Sequence, residues 1–140
     1  MTGTAHCLAD AAQGMVGSRF RLHGRDPATG LDCVGLLAAS LAACGVPAWL
    51  PTGYPLRLMS LEGWMPDTGA MRLSTVNGPA EPGDVVIVAP GPAQYHLAIA
   101  GRDGGWIHAH AGLRRVVHSA CLPDGPIVGH WRFAPVQTKV

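Results

Sequence analysis

Gly30-Leu31-Asp32-Cys33-Val34-Gly35-Leu36-Leu37 is the stretch on which the fold turns. Asp32 is a strong N-cap residue, and the alanine- and leucine-rich run after it favours helix. Cys33 is therefore predicted in the first turn of a helix. That helix should run to about Cys44, where Gly45 stops it and Pro47 lies just beyond. Unpaired N–H groups and the positive end of the helix dipole favour thiolate over thiol at such a start. A cysteine so placed, with histidines far downstream, has the outline of a nucleophile. The competing reading is a small buried hydrophobe, the usual fate of a free cysteine. Asp32 serves as a cap under either.

Outward from this helix the chain divides into a helical front and a stranded back. Thr4 can cap a first helix over 5–15, with Leu8, Ala11, Ala12 and Met15 on one face. Gly17-Ser18-Arg19-Phe20-Arg21 and a polar loop over 24–30 lead into the Cys33 helix. Residues 46–80 are rich in proline and glycine, with one short apolar segment over 56–64 that reads as a helix. After the turn signal Glu81-Pro82-Gly83-Asp84, five segments with strand character follow, over 85–89, 95–100, 106–110, 114–119 and 127–133. Arg102-Asp103-Gly104-Gly105 is a hairpin turn between the second and third. Helices first and a strand meander last predict an α+β fold with an antiparallel sheet. At 140 residues the chain is one domain, 1–140, with enough length for a core without metal or disulfide staples.

Composition removes several function classes. A net charge of +1 with no basic stripe gives no reason to expect nucleic acid. Charged residues make up only 14% of the chain, well below the usual quarter. That fits either a surface covered in a larger assembly or a bias toward Ala, Gly, Pro and Arg. The four cysteines include no CxxC pair, which argues against a zinc knuckle. Cys33 and Cys44 share a helix face but lie about 16 Å apart along the axis, beyond disulfide reach. Cys7 and Cys121 would meet only through tertiary structure, so reduced thiols are expected. The uncharged run over 34–56 is broken by Gly45, Pro47 and Pro51, too early to insert in a membrane. No charged n-region with an apolar h-region opens the chain, so no secretory signal is expected.

Strand alternation sorts the histidines. In Tyr95-His96-Leu97-Ala98-Ile99, Leu97 and Ile99 share one face while His96 and Ala98 share the other. In Trp106-Ile107-His108-Ala109-His110, His108 and His110 lie together opposite Ile107 and Ala109. Pairing of the two strands makes His96 and a histidine of the next strand neighbours. Small residues (Ala98, Ala100, with Ala109 nearby) leave room for a helix that brings Cys33 alongside. Nucleophile, base and a third group that fixes the base's tautomer are what acyl transfer requires. A three-histidine zinc site built from His96, His108 and His110 is the rival arrangement, and it leaves the position of Cys33 unexplained. His6, His23, His118 and His130 read as satisfied or surface residues.

Taken in order, Gly17-Ser18-Arg19-Phe20-Arg21, Leu31-Asp32-Cys33-Val34-Gly35-Leu36, Pro82-Gly83-Asp84-Val85-Val86, Tyr95-His96-Leu97-Ala98-Ile99 and Trp106-Ile107-His108-Ala109 resemble the NlpC-type cell-wall peptidases. The resemblance is greatest to the short branch carried in phage and phage-like tail gene clusters, and it runs from about Ala11 to Phe133. It implies a papain-like α+β fold, with the nucleophile on a helix packed against an antiparallel sheet of about five strands. It implies Cys33 as nucleophile, His96 as general base and acid, and His108 as the third residue, with His110 on the same face. No cofactor or metal is implied. The implied substrate is the stem peptide of bacterial peptidoglycan, most often at its D-glutamyl–diaminopimelate bond. The chain departs from the family pattern at Phe20, where a tyrosine is common, and at Val34, where a serine often follows the cysteine. Asp32, Phe20, Val34 and His110 are the expected substrate-contacting positions.

Carriage in the tail of a phage or phage-like particle, with action in the bacterial periplasm or cell wall, is expected, because a tail-borne protein needs neither a leader nor a wall-binding module. Tail-hub or tail-tip proteins are then the expected partners. Two rival functions remain: an inactive tail-hub subunit that keeps the fold, and an amidase or acyltransferase built on it.

Overall fold

The computed structural model describes residues 6–46, 73–91 and 94–133. The helices are α1 (His6–Gln13) and α2 (Cys33–Ala43), separated by a small hairpin of β1 (Arg25–Asp26) and β2 (Gly30–Leu31). Six strands follow: β3 (Leu73–Thr75), β4 (Val85–Gly91), β5 (Gln94–Ala100), β6 (Trp106–His110), β7 (Arg115–Ser119) and β8 (Ile127–Phe133). The expected Thr4 cap and the helix over 56–64 lie outside the described residues. Among the described residues no helix is long and apolar enough to cross a membrane.

The six later strands form one antiparallel sheet in the order β3-β8-β4-β5-β6-β7. Five of them match the five expected segments. The sixth, β3, adds an edge by pairing Leu73 with Phe133 and Thr75 with Trp131. The turn at Glu81-Pro82-Gly83-Asp84 closes with an Asp84 N–H to Glu81 carbonyl bond of 2.9 Å, with Gly83 at a φ of 85°. Between β5 and β6, Gly104 and Gly105 take φ values of 101° and 72°, which glycine adopts without the cost a Cβ brings.

Leu36, Leu37 and Leu41 of α2 have no exposed surface and join Leu97, Ile99, Ile107 and Ala109 in the core. Each such leucine contributes roughly 1.5–3 kcal/mol by burial. The helix therefore seats on the Leu97–Ile99 face, which corrects the expectation that the Ala98 face receives it. Bulky apolar residues interdigitate with the helix and gain more from burial than alanines would. Ala98 and Ala100 are buried too, yet lie outside that cluster.

Gly17-Ser18-Arg19-Phe20-Arg21 acts as a strap between sheet and helix. Gly17 and Phe20 donate to the Val116 and Arg114 carbonyls at 2.9 and 3.0 Å, and Leu31 donates to the Arg19 carbonyl at 2.8 Å. The start of α2 is thus tied to the β6–β7 end of the sheet.

Expected reduced thiols are only half right. Cys7 and Cys44 are joined by a disulfide across a Cα separation of 6.0 Å, and Cys33 and Cys121 are free. The first residues of α1 and the end of α2 lie side by side, a juxtaposition that spacing along one helix cannot reveal.

Gly35 fixes how closely α2 approaches its neighbours. A Cβ there would drive into the Gly24 carbonyl, and one at Gly24 would meet the Gly30 carbonyl. These are backbone atoms, so relief requires the loop itself to move. Gly35→Ala gains about 0.5–1 kcal/mol of helix propensity but incurs about 1–3 kcal/mol of overpacking. We expect a net loss of stability in urea unfolding; an unchanged or raised midpoint would refute this close packing.

Candidate active site

Asp32 caps α2 as expected. Its backbone is extended, Oδ1 accepts the Gly35 N–H at 2.8 Å and Oδ2 accepts the His23 N–H at 2.7 Å. Cys33 is consequently the first helical residue, only partly buried and packed at the edge of the core. Its sulfur faces the N–H groups of Leu97, Val34 and Cys33 itself.

The histidines converge through strand register. The ladder between β5 and β6 holds Ile99 against Ile107 and Ala100 against Trp106, and goes no further toward His96 and His108. Beyond it the strands part. There the Leu97 N–H meets the Cys33 sulfur, while His96 Nε2 and His108 Nδ1 meet at 2.9 Å. Of the two candidates for the third residue, it is His108 that pairs with His96. His110 lies beside His108 with ring centroids 5.8 Å apart, and its Nδ1 accepts the Leu113 N–H at 3.0 Å. Among the described residues no hydrogen bond joins the thiol to an imidazole; its neighbour is the backbone one residue past His96.

One polar partner escaped the sequence reading. His108 Nε2 lies 3.1 Å from Ser119 Oγ on β7. The β6–β7 register sets His108 against Val117, so Ser119 is the next residue on the same face. Alternation could have placed it on the histidine face, but nothing in the sequence singles out one serine.

Electrostatics run against the expected thiolate. Burial pushes the Cys33 thiol up to about 11, aided by the Asp32 carboxylate, against the pull of the Leu97, Val34 and Cys33 N–H groups. The helix-start amides do favour the anion; desolvation and a neighbouring charge outweigh them. Burial also lowers His96 below its usual value, with His110 adding to the effect. His108 falls to about 4, through burial and then the neighbouring His96 and His110 rings. At neutral pH Cys33 rests as a thiol, and His96 and His108 rest as uncharged imidazoles.

The remaining expected positions divide. Asp32 and Val34 are each 2% exposed, and Val34 packs in the core, so neither presents its side chain to a substrate. The position after the cysteine is an inward-facing helix position, which the sequence alone could not orient. Phe20 is partly buried against the core. His110 does line a cavity of about 380 Å³, together with His96, His108, Gly112, Ser119 and the free Cys121. Among the described residues no three His, Cys, Asp or Glu side chains are grouped to hold a metal ion. His118 and His130, read as structural, bond the Gly104 carbonyl at 2.9 Å and Asp84 at 2.7 Å.

No family model and no curated protein matches the chain. Solved structures do. NlpC1 from Trichomonas vaginalis superposes with a TM-score of 0.68 at 15% identity, over 95% of this chain and 45% of that one. NlpC2 from the same organism gives 0.62 at 16% identity, over 93% and 46%. The P60 domain of an antigen from M. avium subspecies paratuberculosis gives 0.53 at 18% identity, over 95% and 96%. The chain thus spans under half the length of the two Trichomonas proteins and nearly all of the P60 domain. At these identities the likeness shows the fold: two helices on an antiparallel sheet, as in NlpC/P60 domains.

Proposed function

We propose that this chain is a cysteine peptidase that hydrolyses peptidoglycan stem peptides, at the D-glutamyl–diaminopimelate bond. The observation that carries the reading is the 2.9 Å His96–His108 contact, with the Cys33 thiol at the start of α2 set against the backbone of Leu97, the residue after His96. His96 Nε2 is committed to His108, which leaves Nδ1 as the basic nitrogen. Cys33 gives its proton to Nδ1 as its sulfur attacks the amide carbonyl carbon, so thiolate and imidazolium form only during reaction. The oxyanion lies by the N–H groups at the helix start. As the C–N bond breaks, His96 passes the proton to the leaving amine and a thioester remains on Cys33. Water, deprotonated by His96, attacks the thioester; the acid departs and the thiol is restored.

Action from a phage-like tail, among tail-hub or tail-tip partners, belongs to the same reading. It is supported by the sparsely charged composition, which suits subunit packing. Purified protein should release new amine termini from muropeptides, and Cys33→Ala should release none. Equal release by both would overturn the reading. Absence of product from either would favour a structural tail subunit. Product from an amide outside the stem peptide would favour the amidase.

A further inference from the structure

We infer that Ser119 is a positioning residue, which holds His108 in the one tautomer that lets His96 act as a base. The inference rests on the peptidase reading for its consequence, although the tautomer itself can be observed independently.

The argument follows protons along a line of three residues. For His96 to accept the Cys33 proton at Nδ1, its own ring hydrogen must sit on Nε2. That hydrogen can be donated across the 2.9 Å contact only if His108 Nδ1 is unprotonated. His108 is uncharged at neutral pH, so its single hydrogen must then lie on Nε2. In that arrangement Ser119 Oγ, 3.1 Å from Nε2, accepts it; in the reverse arrangement the same hydroxyl would donate to Nε2. Reversing the His108 tautomer reverses the line. Nδ1–H would donate to His96 Nε2, push the His96 hydrogen to Nδ1 and remove the lone pair that the proposed reaction needs there.

His108 is only 3% exposed, so few other acceptors compete for its Nε2 hydrogen. Ser119 sits on β7, held across from Trp106 in the ladder, so its hydroxyl is presented from a regular strand. The cavity beside it admits water, so simple truncation would be a poor test.

Valine and threonine have the same shape and both suit a strand, and they differ only in the hydroxyl. We therefore compare Ser119→Thr with Ser119→Val. Nitrogen-15 spectra of the histidine rings should show His108 protonated at Nε2 in the parent and in Ser119→Thr. In Ser119→Val they should show a tautomer mixture. Muropeptide kcat should fall about 3- to 10-fold in Ser119→Val, the equivalent of one ordinary hydrogen bond, with KM unchanged and with recovery in Ser119→Thr. His108 remaining wholly Nε2–H in Ser119→Val would overturn the inference. A parent that cleaves no muropeptide would overturn the peptidase reading, while the ring spectra would still decide the role of Ser119.

Discussion

Alkylation of Cys33 by iodoacetamide should quicken about tenfold per pH unit between pH 7 and pH 10, roughly 10³-fold in all. The expectation follows from a thiol held up to about 11 by burial and by Asp32. A Cys121→Ser background isolates the signal, because Cys121 is the other free and more exposed thiol. A preformed thiolate–imidazolium pair would instead give a rate nearly flat over that range. A flat profile would therefore refute the neutral resting site. The neutral site is compatible with turnover. Burial raises the thiol and lowers the imidazole, so the proton transfer is uphill at rest and, in the proposed reaction, accompanies attack on the amide.

Asp84→Ala should lower stability by about 3–5 kcal/mol, a large part of a margin of about 5–15 kcal/mol. The Asp84 side chain is 0% exposed. It accepts from Arg132 Nε and Nη2 at 2.9 Å each, from the Glu81 N–H at 2.9 Å and from His130 Nε2 at 2.7 Å. Removing it costs Arg132 its closest partner, leaving it Glu81 and the Pro79 carbonyl at 3.4 Å each, and unlocks the turn that starts β4. Burial alone would raise the Asp84 carboxyl; Arg132, the Glu81 N–H and His130 together outweigh it and hold the group below 3.8. The sign follows from that depression. Its pH-linked stabilisation is present in full above the unfolded value near 3.8 and is lost as pH falls through the lower folded value. Urea midpoints of parent and variant should differ widely at pH 7 and draw together below pH 3.8. A difference under about 1 kcal/mol at pH 7 would place Asp84 among ordinary surface acids.

Much of this architecture was readable because its signals are local. Asp32 before an apolar run marks the start of α2, and alternation with glycine turns marks β4 through β8. What stayed hidden depends on residues distant in sequence. β3 is three residues long and is a strand only because β8 offers it an edge. His108 and His110 share a strand face, and only where the ladder parts does one of them reach His96. The charge state of Cys33 is a contest between amides that sequence implies and burial that it does not. Ser119 carries no local mark at all.

The Cys7–Cys44 bond asks something of Cys33. Two of the chain's four cysteine thiols must oxidise while Cys33 does not. Scrambling proceeds by thiolate attack on an existing disulfide, so it slows with the thiolate fraction. At pH 7 a thiol near 11 is ionised in about one molecule in 10⁴. The protonated ground state therefore also spares Cys33 from wrong pairing as the Cys7–Cys44 bond forms.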